Sequence, residues 1–279
     1  MSETDLDIDT DALTEAYERA LAHEKAGRAQ DAKPLYEQCL AIDSADRVGA
    51  SIRLASLGLR KAPPKAPDAY IEALFDQHAD DFDDILTGQL GYAVPMQLAQ
   101  WFETNAPGPF PRMLDLGCGT GLVGMMLGDM CDHATGVDIA EKMVEAADER
   151  AAYDALFVNE AVHFLREYAA SSDPEHIPFD LIVAADVLPY IGALEPLFDA
   201  LASNANPGAM LAISSETLPN LSTGWKITPN QRYAHSKHYL EQMCARSGFL
   251  DIESFEDITV RTEQSAPIPG YLIVASRPD

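Results

Sequence analysis

Positively charged residues are scarce in this sequence. Its 279 residues include 19 Lys and Arg against 45 Asp and Glu, which gives a formal net charge of −26. A chain of this charge repels phosphate backbones and anionic membrane surfaces. We therefore expect neither a nucleic acid nor a membrane as partner.

Cysteine and long apolar runs are scarce as well. The four cysteines, Cys39, Cys118, Cys131 and Cys244, lie far apart and form no CxxC pair. This spacing argues against a zinc site or a disulfide framework and is typical of reduced thiols in a cytoplasmic protein, so we expect no metal. No apolar run approaches about 18 residues and no charged-then-apolar leader is visible, so we predict neither a membrane span nor a signal peptide.

The most informative stretch runs from Met113 to Gly121, with the sequence MLDLGCGTG. Apolar residues lead into Asp115, three glycines follow at every second position, and an apolar helical run begins at Leu122. This order predicts a buried strand, a tight turn and a helix start. Glycine lets a ligand approach the main chain, and a helix start offers unpaired N–H groups. We expect Asp115, Gly117, Gly119 and Gly121 to bind a nucleotide-like cofactor.

Two interpretations of the glycine loop compete. The dinucleotide fingerprint G-x-G-x-x-G fails when it is placed at Gly117, because Leu122 stands where the third glycine should be. It matches from Gly119 through Gly124, but the loop then starts two residues late. The segment Asp115 to Gly121 instead resembles, without adjustment, the D-x-G-x-G-x-G loop of class I S-adenosylmethionine (SAM) methyltransferases.

Polar residues also follow the next predicted strands. Ala134 to Asp138 reads as a second strand whose acid falls about 20 residues after the loop, where doubly wound folds place a carboxylate on ribose hydroxyls. Ile139 follows it. Ala155 to Val158 is a third strand, and Glu160 and Ala161 lie at its end, where an acid commonly meets the adenine amine. We expect these residues to bind the cofactor.

Strand and helix alternate through five cycles, which predicts an α/β fold with a parallel sheet and crossover helices. The fourth strand, Phe179 to Asp186, is continuously apolar until its final acid, and Tyr190 follows. Pro207–Gly208 leads into the fifth strand. A helix over Lys237 to Arg246 and two later strands complete the predicted domain.

The first quarter of the chain divides into shorter segments. Residues 1–10 predict a frayed, disordered tail, and residues 11–60 predict helices that resemble one tetratricopeptide (TPR) repeat with Gly27 at the turn. Residues 61–67 form a proline-rich linker before a domain over 68–279. Within it, helices over 68–102 carry aromatic and apolar residues, among them Phe75, Phe82, Ile85, Leu86 and Tyr92. They either pack on the sheet or cap the cofactor, with Tyr92 touching its methionine end.

Taken together, the chain from residue 13 onward resembles bacterial class I SAM-dependent methyltransferases that carry N-terminal TPR helices. Besides the glycine loop, the resemblance rests on the segments 46–54, 74–82, 91–95 and 232–236. It implies a Rossmann-like, seven-stranded, mostly parallel sheet whose last strand is antiparallel, and SAM as cofactor. It names no acceptor.

The predicted chemistry is methyl transfer to a small molecule. An Asn-Pro-Pro-Tyr motif is absent after the fourth strand, where Asp186-Val-Leu-Pro189 stands instead. His235 and Asp186 are candidate bases, Asp186 also as a cofactor contact. Arg232, Tyr233, His235 and Tyr190 are candidate acceptor contacts, with Arg232 suited to a carboxylate or phosphate.

Three rival hypotheses remain open. A protein methyltransferase or assembly factor would dock a partner, or another copy of itself, through residues 11–60. A dinucleotide-dependent oxidoreductase would use the shifted glycine match. A SAM-binding scaffold would have lost its chemistry.

Overall fold

The computed structural model describes residues 8–79, 82–84, 88, 90–171, 177–263 and 265–279. Most of the predicted tail over 1–10, and the apolar residues Ile85 and Leu86, lie outside these ranges.

Three helices form the N-terminal segment: α1 (Thr10–Lys25), α2 (Ala29–Ile42) and α3 (Ala50–Ser56). Gly27 turns the chain between the first two with φ +71°, a conformation that glycine adopts without strain. Ala20 and Ala32 are fully buried, and their small side chains permit a close approach of the helices. The three helices share one apolar cluster of buried side chains: Leu13, Ala16, Ala20, Ala32, Tyr36, Cys39, Ala50 and Leu54.

The proline-rich segment lies against the following domain. The Pro63 carbonyl accepts from the Tyr233 hydroxyl at 2.7 Å, and the Pro64 carbonyl accepts from the backbone N–H groups of Gly192 and Ala193 at 2.8 Å. The Ala66 N–H donates to the Tyr190 carbonyl at 2.9 Å. We call residues 63–66 the strap. Its backbone hydrogen bonds attach the N-terminal helices to the domain.

Two helices precede the sheet, α4 (Asp68–His78) and α5 (Val94–Asn105). Four crossover helices connect its strands: α6 (Leu122–Leu127), α7 (Glu141–Glu149), α8 (Ala161–Ala170) and α9 (Glu195–Ala202). A last helix, α10 (Lys237–Arg246), precedes the two C-terminal strands. Within the described ranges, no helix is long and apolar enough to span a membrane.

In the part of the chain that the structure describes, nine strands form one sheet. They are β1 (Met113–Leu116), β2 (Ala134–Asp138), β3 (Ala155–Val158), β4 (Phe179–Ala184), β5 (Ala205–Glu216), β6 (Trp225–Ile227), β7 (Tyr233–His235), β8 (Asp251–Glu263) and β9 (Ala266–Ser276). The order is β3-β2-β1-β4-β5, and β1 to β5 pair in parallel. β9 runs antiparallel to both β5 and β8. The predicted Rossmann-like, mostly parallel sheet is confirmed.

The predicted number of seven strands is wrong. The two additional strands are the antiparallel pair β6 and β7, which lie between β5 and α10 in the chain. β7 joins the sheet through one parallel pairing, Glu216 with Ala234, at the end of β5. The sequence analysis interpreted Arg232, Tyr233 and His235 as candidate contacts for an acceptor. All three residues of β7 are instead buried, which stabilises this short strand.

The sheet is covered on both faces. One buried cluster includes Leu114, Ile182, Leu211 and Phe198, and the other includes Met113, Val183, Val274 and Phe102. Because β1 to β4 are adjacent and parallel, the loops that follow them meet at one edge of the sheet. Ligands of open α/β sheets bind at this edge, where the order of connections reverses.

Candidate functional site

A cleft of about 980 Å³, including the space open to solvent, lies at this edge. Loops after β1, β2, β3 and β4 form its floor, and the strap and α4 form its opposite wall. Its lining includes side chains and glycines from all of these elements: Lys65, Ala66, Asp68, Phe75, Phe82, Tyr92, Gly117, Gly119, Thr120, Asp138, Ile139, Asn159, Glu160, Ala161, Asp186, Val187 and Tyr190.

The glycine loop follows β1 and has the geometry that its sequence predicts. Gly117, Gly119 and Gly121 have φ of +68°, +52° and +94°, all in the left-handed region. A Cβ at Gly117 would lie 2.3 Å from Cγ2 of Val187, so the loop after β4 fits against β1 only because this position has no side chain. Gly117 and Gly119 line the cleft, and Gly121 precedes α6.

Asp138 ends β2 at the floor of the cleft and is 8% exposed. Its Oδ2 accepts from the Gly119 N–H and its Oδ1 from the Ala140 N–H, both at 2.9 Å. A carboxylate offers about four acceptor sites, so each oxygen retains capacity for a ligand hydroxyl. Burial raises the pKa of Asp138, and the backbone N–H donors partly offset this. The side chain therefore both fixes the glycine loop and faces the cleft.

Asp115 lies behind the glycine loop rather than in the cleft. It is fully buried, and its Oδ2 accepts from the Tyr153 hydroxyl at 2.6 Å. Oδ1 has no hydrogen-bond partner among the described residues. Burial raises the pKa of Asp115 to about 7. Its position supports the loop from below, whereas we expected a direct contact with the cofactor.

Tyr153 was missed by the sequence analysis and explains two glycines. Its hydroxyl also accepts from the Gly124 N–H at 3.0 Å, which joins β1 to the first turn of α6. A Cβ at Gly124 would lie 2.6 Å from the Tyr153 ring, and one at Gly136 3.1 Å from it. Gly124 therefore makes room for a packed ring, which accounts for it without the shifted dinucleotide fingerprint. The position of Tyr153, two residues before β3, did not indicate this role in the sequence.

Glu160 and Lys65 face each other at the end of β3. Glu160 Oε2 accepts from the His163 N–H at 2.9 Å and thereby caps α8. Its Oε1 lies 3.2 Å from Lys65 Nζ, which is also 2.7 Å from Asp68 Oδ1. Ala161 and Ile139 line the same end of the cleft. The strap residue Lys65 was missed because its proline-rich neighbours indicated only a linker.

The aromatic residues of the segment after the strap cover the cleft. The Phe75 ring lies 5.7 Å from the Phe82 ring and 5.4 Å from the Tyr190 ring. The Thr120 hydroxyl donates to Asp83 at 2.6 Å, which attaches this segment to the glycine loop. Tyr92 both lines the cleft and belongs to a buried core cluster, so the packing and capping interpretations describe the same position.

Arg232 holds the loop after β4. Its Nη2 donates to both carboxylate oxygens of Asp186 at 2.7 Å, and its Nε donates to Glu216 at 2.5 Å. Its Nη1 donates to the Tyr190 hydroxyl, and its guanidinium carbon lies 4.5 Å from the centre of that ring. Asp186 has φ +61°, a conformation unusual for a residue other than glycine, and these contacts stabilise it. Every nitrogen of the Arg232 guanidinium is engaged.

His235 and Tyr233 lie away from the cleft. Both are fully buried in β7. His235 Nε2 is 2.8 Å from the Ile191 carbonyl, and because a carbonyl only accepts, this nitrogen carries the proton. Its Nδ1 contacts the Ser215 hydroxyl at 2.8 Å. Burial lowers the pKa of His235 to about 4, so the ring is neutral at pH 7. Their positions give no support to roles as base or acceptor contact.

Comparisons with known proteins agree with this fold. Residues 114–211 match the family model for a methyltransferase domain. The ubiquinone biosynthesis O-methyltransferase of Xylella fastidiosa is 27% identical over 121 residues, which cover 43% of this chain and 48% of that protein. An uncharacterized methyltransferase of Mycobacterium tuberculosis is 27% identical over 117 residues, 42% of this chain and 56% of that protein. The chain spans about half the length of these curated relatives.

Two solved structures are similar over most of the chain. The 1,6-didemethyltoxoflavin-N1-methyltransferase of Burkholderia thailandensis has a TM-score of 0.57 at 16% identity and covers 79% of this chain and 94% of its own. A SAM-dependent methyltransferase of Clostridium acetobutylicum has a TM-score of 0.51 at 14% identity, with coverages of 74% and 100%. At these identities the likeness shows the fold. The part of the chain that matches the methyltransferase domain model, residues 114–211, spans β1 to the middle of β5, and the relatives and solved structures named above are methyltransferases.

Proposed function

We propose that this protein transfers a methyl group from SAM to a small-molecule acceptor. The observation that carries the proposal is the junction of the glycine loop with Asp138 in a cleft at the carboxyl ends of β1 to β4. The methyltransferase family match over the same strands supports SAM as the cofactor.

The described residues fit such a cofactor. Gly119 leaves open space above the loop, since the nearest atom to a Cβ there would be on the Phe82 ring at 3.7 Å. Asp138 offers acceptor capacity for the two ribose hydroxyls. Asn159, Glu160 and Ala161 follow β3 and would lie beside the adenine. Tyr92 would lie toward the methionine end.

Bound SAM supplies an electrophilic methyl group, so the chain has to align the acceptor and exclude water. Asp186 and Tyr190 line the cleft beyond the glycine loop, and Arg232 fixes both side chains. Phe75 and Phe82 cover this end and would reduce the access of water. Among the candidate bases, Asp186 lies at the cleft and His235 does not. Asp186 would accept a proton only in competition with its pair to Arg232.

The N-terminal helices would support the cleft rather than form a separate docking module. The strap follows α3, contributes Lys65 and Ala66 to the lining of the cleft, and pairs with the segment that follows Tyr190. A Cβ at Gly49, beside α3, would lie 2.7 Å from the Tyr70 ring of α4. We propose that the TPR-like helices 11–60 complete the wall of the cleft.

Calorimetry tests the cofactor directly. SAM, S-adenosylhomocysteine and NADH would be titrated into the same sample of the full chain. We expect the first two to bind and NADH to give no saturable heat. Binding of NADH alone would support an oxidoreductase and contradict the proposal.

A further inference from the structure

We propose that the acceptor is an amine on an apolar or aromatic body, which enters the cleft as an ammonium ion, and that the site disfavours carboxylate- and phosphate-bearing acceptors. This inference rests on the proposed function and names the substrate class of the same site.

The order of the strands locates the acceptor end. The residues proposed for adenine and ribose follow β3 and β2, and the glycine loop follows β1, in that spatial order. The next strand in the sheet is β4, whose loop contributes Asp186 and Tyr190 to the lining. An acceptor in line with the transferred methyl group therefore meets this loop and the rings that cover it.

The charged side chains of the lining are mostly acidic. Asp68, Asp138, Glu160 and Asp186 line the cleft. Of the described lining residues, Lys65 is the one with a cationic side chain, and it is paired with both Asp68 and Glu160. An acceptor carboxylate or phosphate would therefore face these acidic side chains. Among the described lining residues, no unpaired cationic side chain is present to bind it.

The arginines behind the acceptor end are also neutralised. Arg232 is engaged by Asp186, Glu216 and Tyr190. Arg261 donates to Glu216 and to Glu263. Three carboxylates thus face two guanidinium groups, and the cluster keeps an excess of negative charge.

The sequence between the strap and β1 carries the same sign. Between Lys65 and Arg112 the sequence contains eight acidic residues and no lysine or arginine. Acidic residues concentrated around a cleft raise the local concentration of cations and lower that of anions. The net charge of −26 acts in the same direction.

Aromatic rings supply the attraction at short range. Phe75, Phe82, Tyr92 and Tyr190 line the cleft, and Phe75 contacts the rings of Phe82 and Tyr190. The face of an aromatic ring attracts an ammonium group, most strongly where water is excluded. The same rings accept the apolar body of the molecule.

The reaction balances without a further reagent. The ammonium nitrogen releases one proton to solvent water and regains its lone pair. That lone pair forms the new N–CH3 bond while the S–CH3 bond breaks and its electron pair stays on sulfur. The products are an N-methylammonium ion and S-adenosylhomocysteine.

Three probes with one aromatic body test the inference. Phenethylamine, 2-phenylethanol and 3-phenylpropanoate would be titrated into protein saturated with S-adenosylhomocysteine. We expect phenethylamine to bind about tenfold or more tightly than 3-phenylpropanoate, with a smaller difference at high salt, because the preference is electrostatic. Equal or tighter binding of the carboxylate would overturn the inference.

Asp186→Asn sharpens the test. It removes a negative charge at the acceptor end and leaves Arg232 with one pair fewer, so the preference for the amine should fall about tenfold. Asp199→Asn, which changes an exposed acid of α9 paired with Arg246, is the control and should keep the preference. If thermal melting shows that Asp186→Asn does not fold, Phe75→Leu replaces it, because it removes a ring that faces Tyr190 at the acceptor end and should also lower the preference for the amine. An unchanged preference in the folded variant contradicts the inference.

The experiment separates this inference from the proposed function. A sample that binds neither SAM nor S-adenosylhomocysteine overturns both. A sample that binds S-adenosylhomocysteine and prefers the carboxylate overturns the acceptor class alone.

Discussion

The two ends of the cleft are built by different means. At the cofactor end, Asp138 is held by backbone N–H groups of Gly119 and Ala140, and the glycine loop is close in sequence. At the acceptor end, Asp186 and Tyr190 are held by the side chain of Arg232, which lies more than 40 residues away in sequence. The first end depends on a local motif, and the second on long-range ion pairs in a buried cluster.

The largest effect should follow the removal of Arg232. Arg232→Ala removes the hydrogen-bond donor of both Asp186 oxygens and leaves Glu216 with Arg261 alone, and breaking a buried pair in this way costs about 3–5 kcal/mol. Urea denaturation would measure this loss in the free energy of unfolding. The affinity for S-adenosylhomocysteine should stay nearly unchanged in the folded fraction, because the cofactor end does not use this side chain.

Arg246→Ala provides the matched control. Arg246 makes a similar two-point pair with Asp199, but both side chains are about half exposed. Exposed pairs contribute little to stability because solvent screens them, so this variant should be nearly as stable as the parent. If both arginine variants lose the same small amount, Arg232 does not organise the acceptor end.

Asp138→Ala should have the second largest effect, and at the opposite end. Loss of a carboxylate that accepts ribose hydroxyls costs about 2–3 kcal/mol, or roughly thirty- to a hundredfold in the affinity for SAM. The fold should persist, with some loss from the freed Gly119 and Ala140 N–H groups. Calorimetry measures the affinity, with Asp199→Ala as control. Unchanged SAM binding would remove Asp138 from the cofactor site.

The contrast between the ends explains what the sequence allowed us to predict. The alternation of strand and helix predicted the α/β fold, and the glycines and the acid at a fixed spacing predicted the loop geometry, because these depend on residues close together in the chain. The residues of the acceptor end were identified, but their contacts were not, since nothing local indicates that Arg232 meets Asp186 and Glu216. His235 and Tyr233 lie in the buried strand β7 and do not line the cleft. No sequence pattern indicated the contacts of Tyr153 and Lys65, because their partners lie on other elements of the fold.

The protein should also lose stability in acid through His235, which is buried in β7. The pKa of this buried ring is lowered from 6.5 to about 4. Well above pH 6.5 the ring is neutral in both the folded and the unfolded chain, so it does not change the free energy of unfolding with pH. As the pH falls below 6.5, the unfolded chain takes up a proton that the folded chain does not, so stability falls by about 2 kcal/mol by pH 5.

His235→Gln isolates this contribution. Urea denaturation of parent and variant at pH 7.5, 6.5 and 5 should show a shallower acid loss in the variant. Asp115, whose pKa is raised, contributes a slope of opposite sign to both proteins, so the difference between them is the relevant quantity. Equal slopes would show that His235 takes up its proton in the folded protein as readily as in the unfolded chain, which would contradict the lowered pKa.

The smallest effect on ligand binding should follow a change at the cofactor end that touches neither cleft nor ligand. Tyr153→Phe keeps the ring that fills the space beside Gly124 and Gly136 and removes the hydroxyl that joins Asp115 to α6. Asp115 then loses a partner inside the protein, at a cost to stability of about 1–3 kcal/mol. Because the glycine loop lies directly above Asp115, we expect the affinity for S-adenosylhomocysteine to fall by about three- to tenfold, which corresponds to roughly 1 kcal/mol. Tyr168→Phe, which removes a hydroxyl bound to the Ile177 carbonyl outside the cleft, should leave this affinity unchanged. A Tyr153→Phe protein that loses stability but binds with parental affinity would show that the cofactor end is fixed by its backbone alone.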